Sequence, residues 1–353
     1  MEPKNLNTID IGKFVCSLLI VMIHVPLFTP ELYEWNKFIH NTIARLAVPF
    51  FFVAVGFFLY RKSFSENTFS LTPTLKQAKR LLTLYIVWSI LYTPLAISYI
   101  ASRQMPLTKS IVNFLQNFLI VGTYTQLWFL LAACWAIILV SLLLKFKVKP
   151  YYILLTAGIC YFFGLLTISY FGAIRPLSTI YPSIWKVLHM GKILIVTGRN
   201  GIMFGFVFVA LGMIIAFYKI HIKALWACIG FLLSTGLLIG EYFCLDSLHW
   251  MRNSDVYISL LPASFFLFCW LKDIPLTDNP IYKKLRLFSE LVFLTHLIVL
   301  AAVQNWLPSY LKNGIFGIDI LFLGTLAGSF FLSYCIIKFS ESRRWGSLFK
   351  LLY

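Results

Sequence analysis

Charge is what this sequence has least of. Only 12% of its 353 residues are Asp, Glu, Lys or Arg, about half the share of a soluble globular domain. Acidic residues are scarcest, 13 against 30 lysines and arginines, for a formal net charge of +17. With 60% hydrophobic residues and a mean hydropathy of +0.83, the chain reads as a polytopic membrane protein. No cleavable signal peptide is evident, because no small-residue cleavage site follows the first apolar run and further runs succeed it. The seven cysteines are odd in number. Most lie inside apolar runs (Cys16, Cys134, Cys160, Cys228, Cys269, Cys335). That excludes a disulfide framework, and no CxxC or Cys/His spacing points to zinc. No internal repeat, linker or second domain is visible, so residues 1–353 read as one integral-membrane domain.

What is present is apolar sequence in lengths that cross a bilayer. A span needs about 20 such residues. Ten runs qualify: 11–29, 42–60, 81–101, 124–144, 151–169, 199–218, 224–242, 256–272, 287–304 and 315–338. The expected fold is an all-α helical bundle of about ten transmembrane helices. Placing the N-terminus inside puts roughly 20 of the lysines and arginines in cytoplasmic segments, which predicts both termini in the cytoplasm of a bacterial-type plasma membrane. The net positive charge therefore orients the protein and meets anionic lipid, and no nucleic-acid partner is expected. Leu107, Ile111, Phe114, Leu115 and Phe118 repeat at helical spacing opposite Lys109, Asn113, Gln116 and Asn117. They predict an amphipathic helix on the outer membrane surface.

The first apolar run carries four residues that do not suit lipid: Asp10, Lys13, Ser17 and His24. At about 100° per residue they fall within a stripe roughly 60° wide, with Lys13 and His24 about 16 Å apart along the axis. An intramembrane histidine faces protein, water or a ligand, and is the side chain best suited to take and return a proton near neutrality. A packing histidine bonded to a neighbouring helix is the plainer reading of His24. The company of Lys13 and Asp10 favours a polar pathway.

Other polar residues gather at the predicted outer ends of spans. Arg45 begins the second, Gln126 and Trp128 the fourth, and Arg199-Asn200 the sixth; Glu241 closes the seventh. His296 lies mid-depth in the ninth. Singly these read as snorkelling anchors, belt aromatics or satisfied interior groups. Jointly they suit the lining of a water-filled vestibule. On the cytoplasmic side Arg61, Lys62, Lys76, Lys79 and Arg80 fit the positive-inside pattern and would also hold phosphates.

These residues carry a resemblance to the acyltransferase family 3 of integral membrane proteins. Asp10-x-x-Lys13 followed by ten residues and His24 is similar to that family's Arg/Lys-x10-His signature, in its lysine form. Arg45-x-x-Val48-Pro49-Phe50-Phe51-Phe52-Val53-x-x-Gly56 resembles a second block, with Val55 where the family has serine. Leu127-Trp128-Phe129-Leu130 resembles a third, and Ser289-x-x-Val292-Phe293-Leu294-x-His296 a fourth, with Phe293 in place of a tyrosine. Within the family, Thr197 to Phe204 and Gly240-Glu241-Tyr242 resemble the membrane half of vancomycin-resistance-type serine racemases, without the soluble racemase domain.

The resemblance implies a membrane O-acyltransferase, with O-acetylation as the expected activity. An acyl-coenzyme A co-substrate, such as acetyl-coenzyme A, would bind from the cytoplasm, with its phosphates near Lys13, Arg61, Lys76, Lys79 and Arg80. His24 would be the general base, or carry the acyl group transiently, with Asp10 orienting Lys13. Arg45, Trp128, Arg199, Asn200, Glu241 and His296 would bind the acceptor or stabilise the oxyanion. The acceptor would be a hydroxyl of an extracytoplasmic sugar, a cell-wall polymer or a small molecule. No metal and no permanently bound cofactor is implied. The racemase-like branch keeps two alternatives open, a carrier for a small polar solute such as L-serine and an export partner for a surface polysaccharide.

Overall fold

The computed structural model describes residues 6–25, 32–65, 68–102, 106–183, 197–308, 311 and 317–353. Among the described residues the regular structure is helical apart from a hairpin of two two-residue strands, in which Phe64 pairs with Phe69 and Ser65 with Thr68. We number the principal helices α1 Asn7–His24, α2 Tyr33–Asn41, α3 Ala47–Ser63, α4 Thr72–Ser102, α5 Leu107–Gln116, α6 Trp128–Lys145, α7 Pro150–Thr167, α8 Phe206–Phe217, α9 Ala224–Ser247, α10 Leu260–Lys272, α11 Pro280–Trp306 and α12 Gly317–Ser340.

Each of the ten apolar runs overlaps one of these helices. Eight helical segments among the described residues are long and apolar enough to cross a membrane, with Tyr33–Ser63 counted as one. Two shorter apolar helices, Gly201–Phe217 and Leu260–Lys272, match the sixth and eighth runs. The chain is thus an all-helical protein with multiple membrane-spanning helices. Residues 26–29 and 315–316 of the expected spans lie outside the described residues, as do Lys4, Arg103, Lys186, Lys192 and Lys312 of the predicted loops.

Two expectations need adjusting. Residues 72–80 are not loop: α4 begins at Thr72, nine residues before the expected span, with Pro73 in its first turn, where its missing N–H is no loss. Lys76, Lys79 and Arg80 therefore stand on a helix, and all three are exposed. The sixth run starts as a wide turn, Gly201–Gly205, before α8 proper. The expected amphipathic helix is present as α5, continued by a wide turn over Asn117–Val121, and its Ile111, Phe114 and Leu115 are exposed.

The chain forms two compact units, 1–51 with 270–353, and 52–269. In the first, α1 packs along α11, α11 along α12, and the turn Ile43–Leu46 against α1. Val21, Val25 and Val292 form its fully buried centre, flanked by Leu300, Leu321, Phe322 and Phe330. The start of α1 is tied down by polar bonds. Asn7 Nδ2 donates to Asp278 (2.8 Å), and Thr8 Oγ1 to the Ile274 carbonyl (2.9 Å).

In the second unit α6 packs on α4, on α8 and on the Gly201–Gly205 turn, and α7 packs on α8. Tyr60 donates to the Ile137 carbonyl (3.0 Å) and meets Ser141 (2.8 Å), which also meets Thr74 (2.8 Å). This buried hydroxyl chain pins α3, α4 and α6 together beside Arg61 and Lys76. Close by, Phe64 packs on Phe69 and Phe217.

The tightest approach is between α3 and α8. A Cβ on Gly56 would stand 2.2 Å from the Val209 carbonyl oxygen, and one on Gly212 would stand 2.2 Å from that of Val53. Each helix thus lays a glycine against the other's backbone. Close backbone packing of this kind replaces the hydrophobic drive that lipid does not supply. Gly212→Val is expected to destabilise the protein by about 1–3 kcal/mol or more through overpacking. Gly236→Ala, where a Cβ meets nothing within 4 Å, is the control. Melting curves in detergent should show a clear loss for the first variant and none for the second.

Candidate functional site

The stripe on α1 faces protein. Asp10 is 2% exposed and Ser17 fully buried, Lys13 and His24 are half-buried, and Val15 on the opposite side is 47% exposed. An apolar helix presenting these groups needs a polar neighbour, and α11 is that neighbour.

At one end of the stripe Asp10 meets Arg286. The guanidinium donates from Nε to Oδ1 (2.9 Å) and from Nη2 to Oδ2 (2.7 Å), a two-point bond. Sequence reading counts Arg286 as a loop cation and gives Asp10 the task of orienting Lys13. The structure puts Arg286 on α11, where it bonds both Asp10 oxygens. The signal was available: a carboxylate inside an apolar run requires a cation, and the nearby basic cluster Lys283-Lys284-x-Arg286 held a candidate.

At the other end His24 meets His296. Their ring centroids are 5.2 Å apart with planes tilted by 35°. His296 is fully buried. Its Nδ1 lies 3.1 Å from the Val292 carbonyl and 2.8 Å from that of Phe293. Carbonyls only accept, so Nδ1 carries the proton and Nε2 keeps a lone pair. No described residue bonds that Nε2. The arrangement leaves a buried proton acceptor beside a half-buried imidazole, with the Phe293 ring 6.4 Å from that of His296.

Arg45 belongs to the same unit. Its Nη2 lies 3.3 Å from His40 Nδ1, which in turn is 2.7 Å from Asn41 Oδ1. Neither His40 nor Asn41 stands out in the sequence, since both fall in a polar connector.

The remaining candidates lie in the second unit. Arg199 pairs with Asp255 (2.9 Å) and lies over the Trp128 ring, 5.1 Å from its centroid. Trp128 also meets Phe52 and Phe204. Trp128 and Arg199 thus come together, with Asp255 as the partner that sequence reading missed. Two residues before Trp128, Gln126 is 2% exposed, and neither atom of its carboxamide is bonded among the described residues.

Asn200 and Glu241 have structural work. Asn200 Oδ1 accepts from the amides of Ile202 (2.9 Å) and Met203 (2.8 Å), and its Nδ2 donates to the Thr197 carbonyl (2.8 Å). It caps the turn that leads into α8. Glu241 accepts from the Ile258 amide (2.7 Å), the Ser259 amide (2.8 Å), Ser259 Oγ (2.6 Å) and Tyr170 Oη (2.7 Å). It therefore satisfies donors ahead of α10. Burial and the Glu241 carboxylate hold the Tyr170 phenol above its ordinary range, so it stays a donor. Arg61, Lys62, Lys76, Lys79 and Arg80 share one end of this unit, joined through the Tyr60–Ser141–Thr74 bonds.

A polytopic helical membrane protein with an imidazole pair inside its apolar core is the class these features define. The chain belongs to the acyltransferase 3 family, whose acyltransferase-domain model matches residues 6–336. It is also similar to an amino-acid racemase of Enterococcus faecalis, 29% identical over 280 residues, which is 76% of this chain and 36% of that protein. A serine/alanine racemase of Enterococcus gallinarum is 28% identical over 268 residues, 74% of this chain and 36% of that protein. A further amino-acid racemase of Enterococcus faecalis is 26% identical over 355 residues, 96% of this chain and 47% of that protein. The chain spans about a third to a half of the length of the curated relatives it matches. No solved structure matches it.

Breaking the Asp10–Arg286 pair from either side should destabilise the protein. Arg286 is 47% exposed at its side chain while Asp10 is 3%, so the loss is expected at about 1–3 kcal/mol, below that of a fully buried pair. Arg286→Ala and Asp10→Ala should each lower the melting temperature. In the exchange Asp10→Arg with Arg286→Asp, recovery of part of that loss is expected. Equal stability of all four proteins would show that the pair contributes nothing.

Proposed function

We propose that this chain is a membrane O-acyltransferase that moves an acyl group, acetyl in the simplest case, from acyl-coenzyme A to a hydroxyl. Family membership supports acyl transfer. The observation that carries the mechanism is the His24–His296 pair, in which hydrogen bonding fixes one ring's tautomer. His24 takes the proton of the acceptor hydroxyl as its oxygen attacks the thioester carbonyl. The tetrahedral intermediate then collapses, the carbon–sulfur bond breaks, and the coenzyme A sulfur leaves with the proton that His24 returns. His296 meets the imidazolium of His24 with a neutral ring. Arg45, on the turn packed against α1, is the cation we assign to the developing oxyanion.

The exposed cations Lys76, Lys79 and Arg80, with Lys62 and the half-buried Arg61, suit the phosphates of the donor. This reading has both termini in the cytoplasm of a bacterial plasma membrane. The Trp128 and Arg199 pair is the part of the second unit we assign to the acceptor, a hydroxyl on a sugar, a wall polymer or an amino acid. Asn200 and Glu241 also hold local structure, through bonds to the turn ahead of α8 and to the segment ahead of α10. The names of the relatives favour a second reading, in which the ligand is an amino acid such as serine, carried rather than acylated.

The test uses the full chain in nanodiscs with radiolabelled acetyl-coenzyme A. Release of free coenzyme A is expected, and His24→Ala should reduce it about 100-fold or more with an unchanged melting curve. Saturable serine uptake in vesicles, with no thioester consumed, would replace the enzyme by the carrier.

A further inference from the structure

We propose that His24 and His296 form a two-histidine site for a divalent transition-metal ion of the class of Zn2+ or Cu2+, and that the bound ion blocks proton transfer by the pair. The binding half stands on geometry. The blocking half rests on the reading of His24 as a proton acceptor.

His296 is already in the state of a metal ligand. Imidazoles that bind metals almost always donate the other ring N–H to a carbonyl or carboxylate, which fixes the tautomer and aims the lone pair. His296 already does this, with Nδ1 held by the Val292 and Phe293 carbonyls at 3.1 and 2.8 Å. A nitrogen is left over. Nε2 is buried and no described residue bonds it, and a buried polar atom in that state calls for an occupant. The distance also fits. With metal–nitrogen bonds of about 2.0–2.1 Å, two imidazoles on one tetrahedral ion hold their centroids about 5 Å apart. The His24 and His296 centroids are 5.2 Å apart.

The site is not a closed structural one. No group of three or more His, Cys, Asp or Glu side chains is placed to hold a metal among the described residues. Two protein ligands leave the other positions to water or an anion, as open sites do. His24 is only half-buried, so part of its ring stays open beside the buried His296. An ion held there occupies the lone pairs that proton transfer needs. Of the two ions, Cu2+ should bind more tightly.

The experiment uses tag-free full chain in nanodiscs, stripped with chelator and titrated with Cu2+ under electron paramagnetic resonance. We expect one strong Cu2+ per chain with nitrogen hyperfine structure, and competition by Zn2+. His24→Ala and the milder His24→Asn should each weaken that binding about tenfold or more. His40→Asn and His221→Asn should leave it unchanged. Binding that survives loss of His24, or no uptake at micromolar Cu2+, overturns the proposal. Activity is read separately. Metal bound without any acyl transfer in the stripped protein leaves the site standing and sinks the reading of His24. Transfer that continues with the site filled overturns the blocking half.

Discussion

A carboxylate buried in an apolar helix has to be matched by a cation, and the Asp10–Arg286 pair is that match. Everything polar on α1 follows from it. The two-point bond sets which face of α1 meets α11. Once that face is set, Ser17 is buried and His24 arrives beside His296. The bonds from Asn7 and Thr8 to the segment ahead of α11 hold the axial position as the ion pair holds the rotation. A helix so constrained can present an imidazole at a fixed place in a region where stray polar groups are costly.

The polar candidates divide by whether their hydrogen bonds are already spent. Glu241 receives two backbone amides and two hydroxyls, and Asn200 bonds the backbone three times, so both hold local structure. The Arg199 charge is met by Asp255, and its guanidinium lies on an aromatic face. His296 and Gln126 differ, each with buried polar atoms that no described residue bonds. In a membrane protein such atoms are informative because desolvation makes them expensive.

Much of this was legible from residue order. Among the described residues, hydropathy located each helix long and apolar enough to cross, since span length is fixed by bilayer thickness. The 100° rule put Asp10, Lys13, Ser17 and His24 on one face, and the structure buries Asp10 and Ser17 and half-buries Lys13 and His24. What pattern does not carry is pairing between distant segments. Arg286 looked like an orientation signal, and Asp255 and Tyr170 looked like loop residues. Their roles depend on which helix lies alongside, and no periodicity within one segment states that. The early start of α4 was missed for a related reason: charged first turns read as loop when hydropathy is the only guide. The Glu241 contacts were not legible because a carboxylate that accepts backbone amides looks, in one dimension, like one that awaits a ligand.

The bond between His296 and its own helix limits what that ring can do with a proton. A relay through an imidazole takes a proton on one nitrogen and gives it up from the other. Here Nδ1 is turned towards two carbonyls that have no proton to exchange and nowhere to pass one. While that bond holds, whatever arrives at Nε2 must depart from Nε2. The ring is a bay rather than a corridor: it can lodge a proton for a moment, but it cannot conduct one across the membrane.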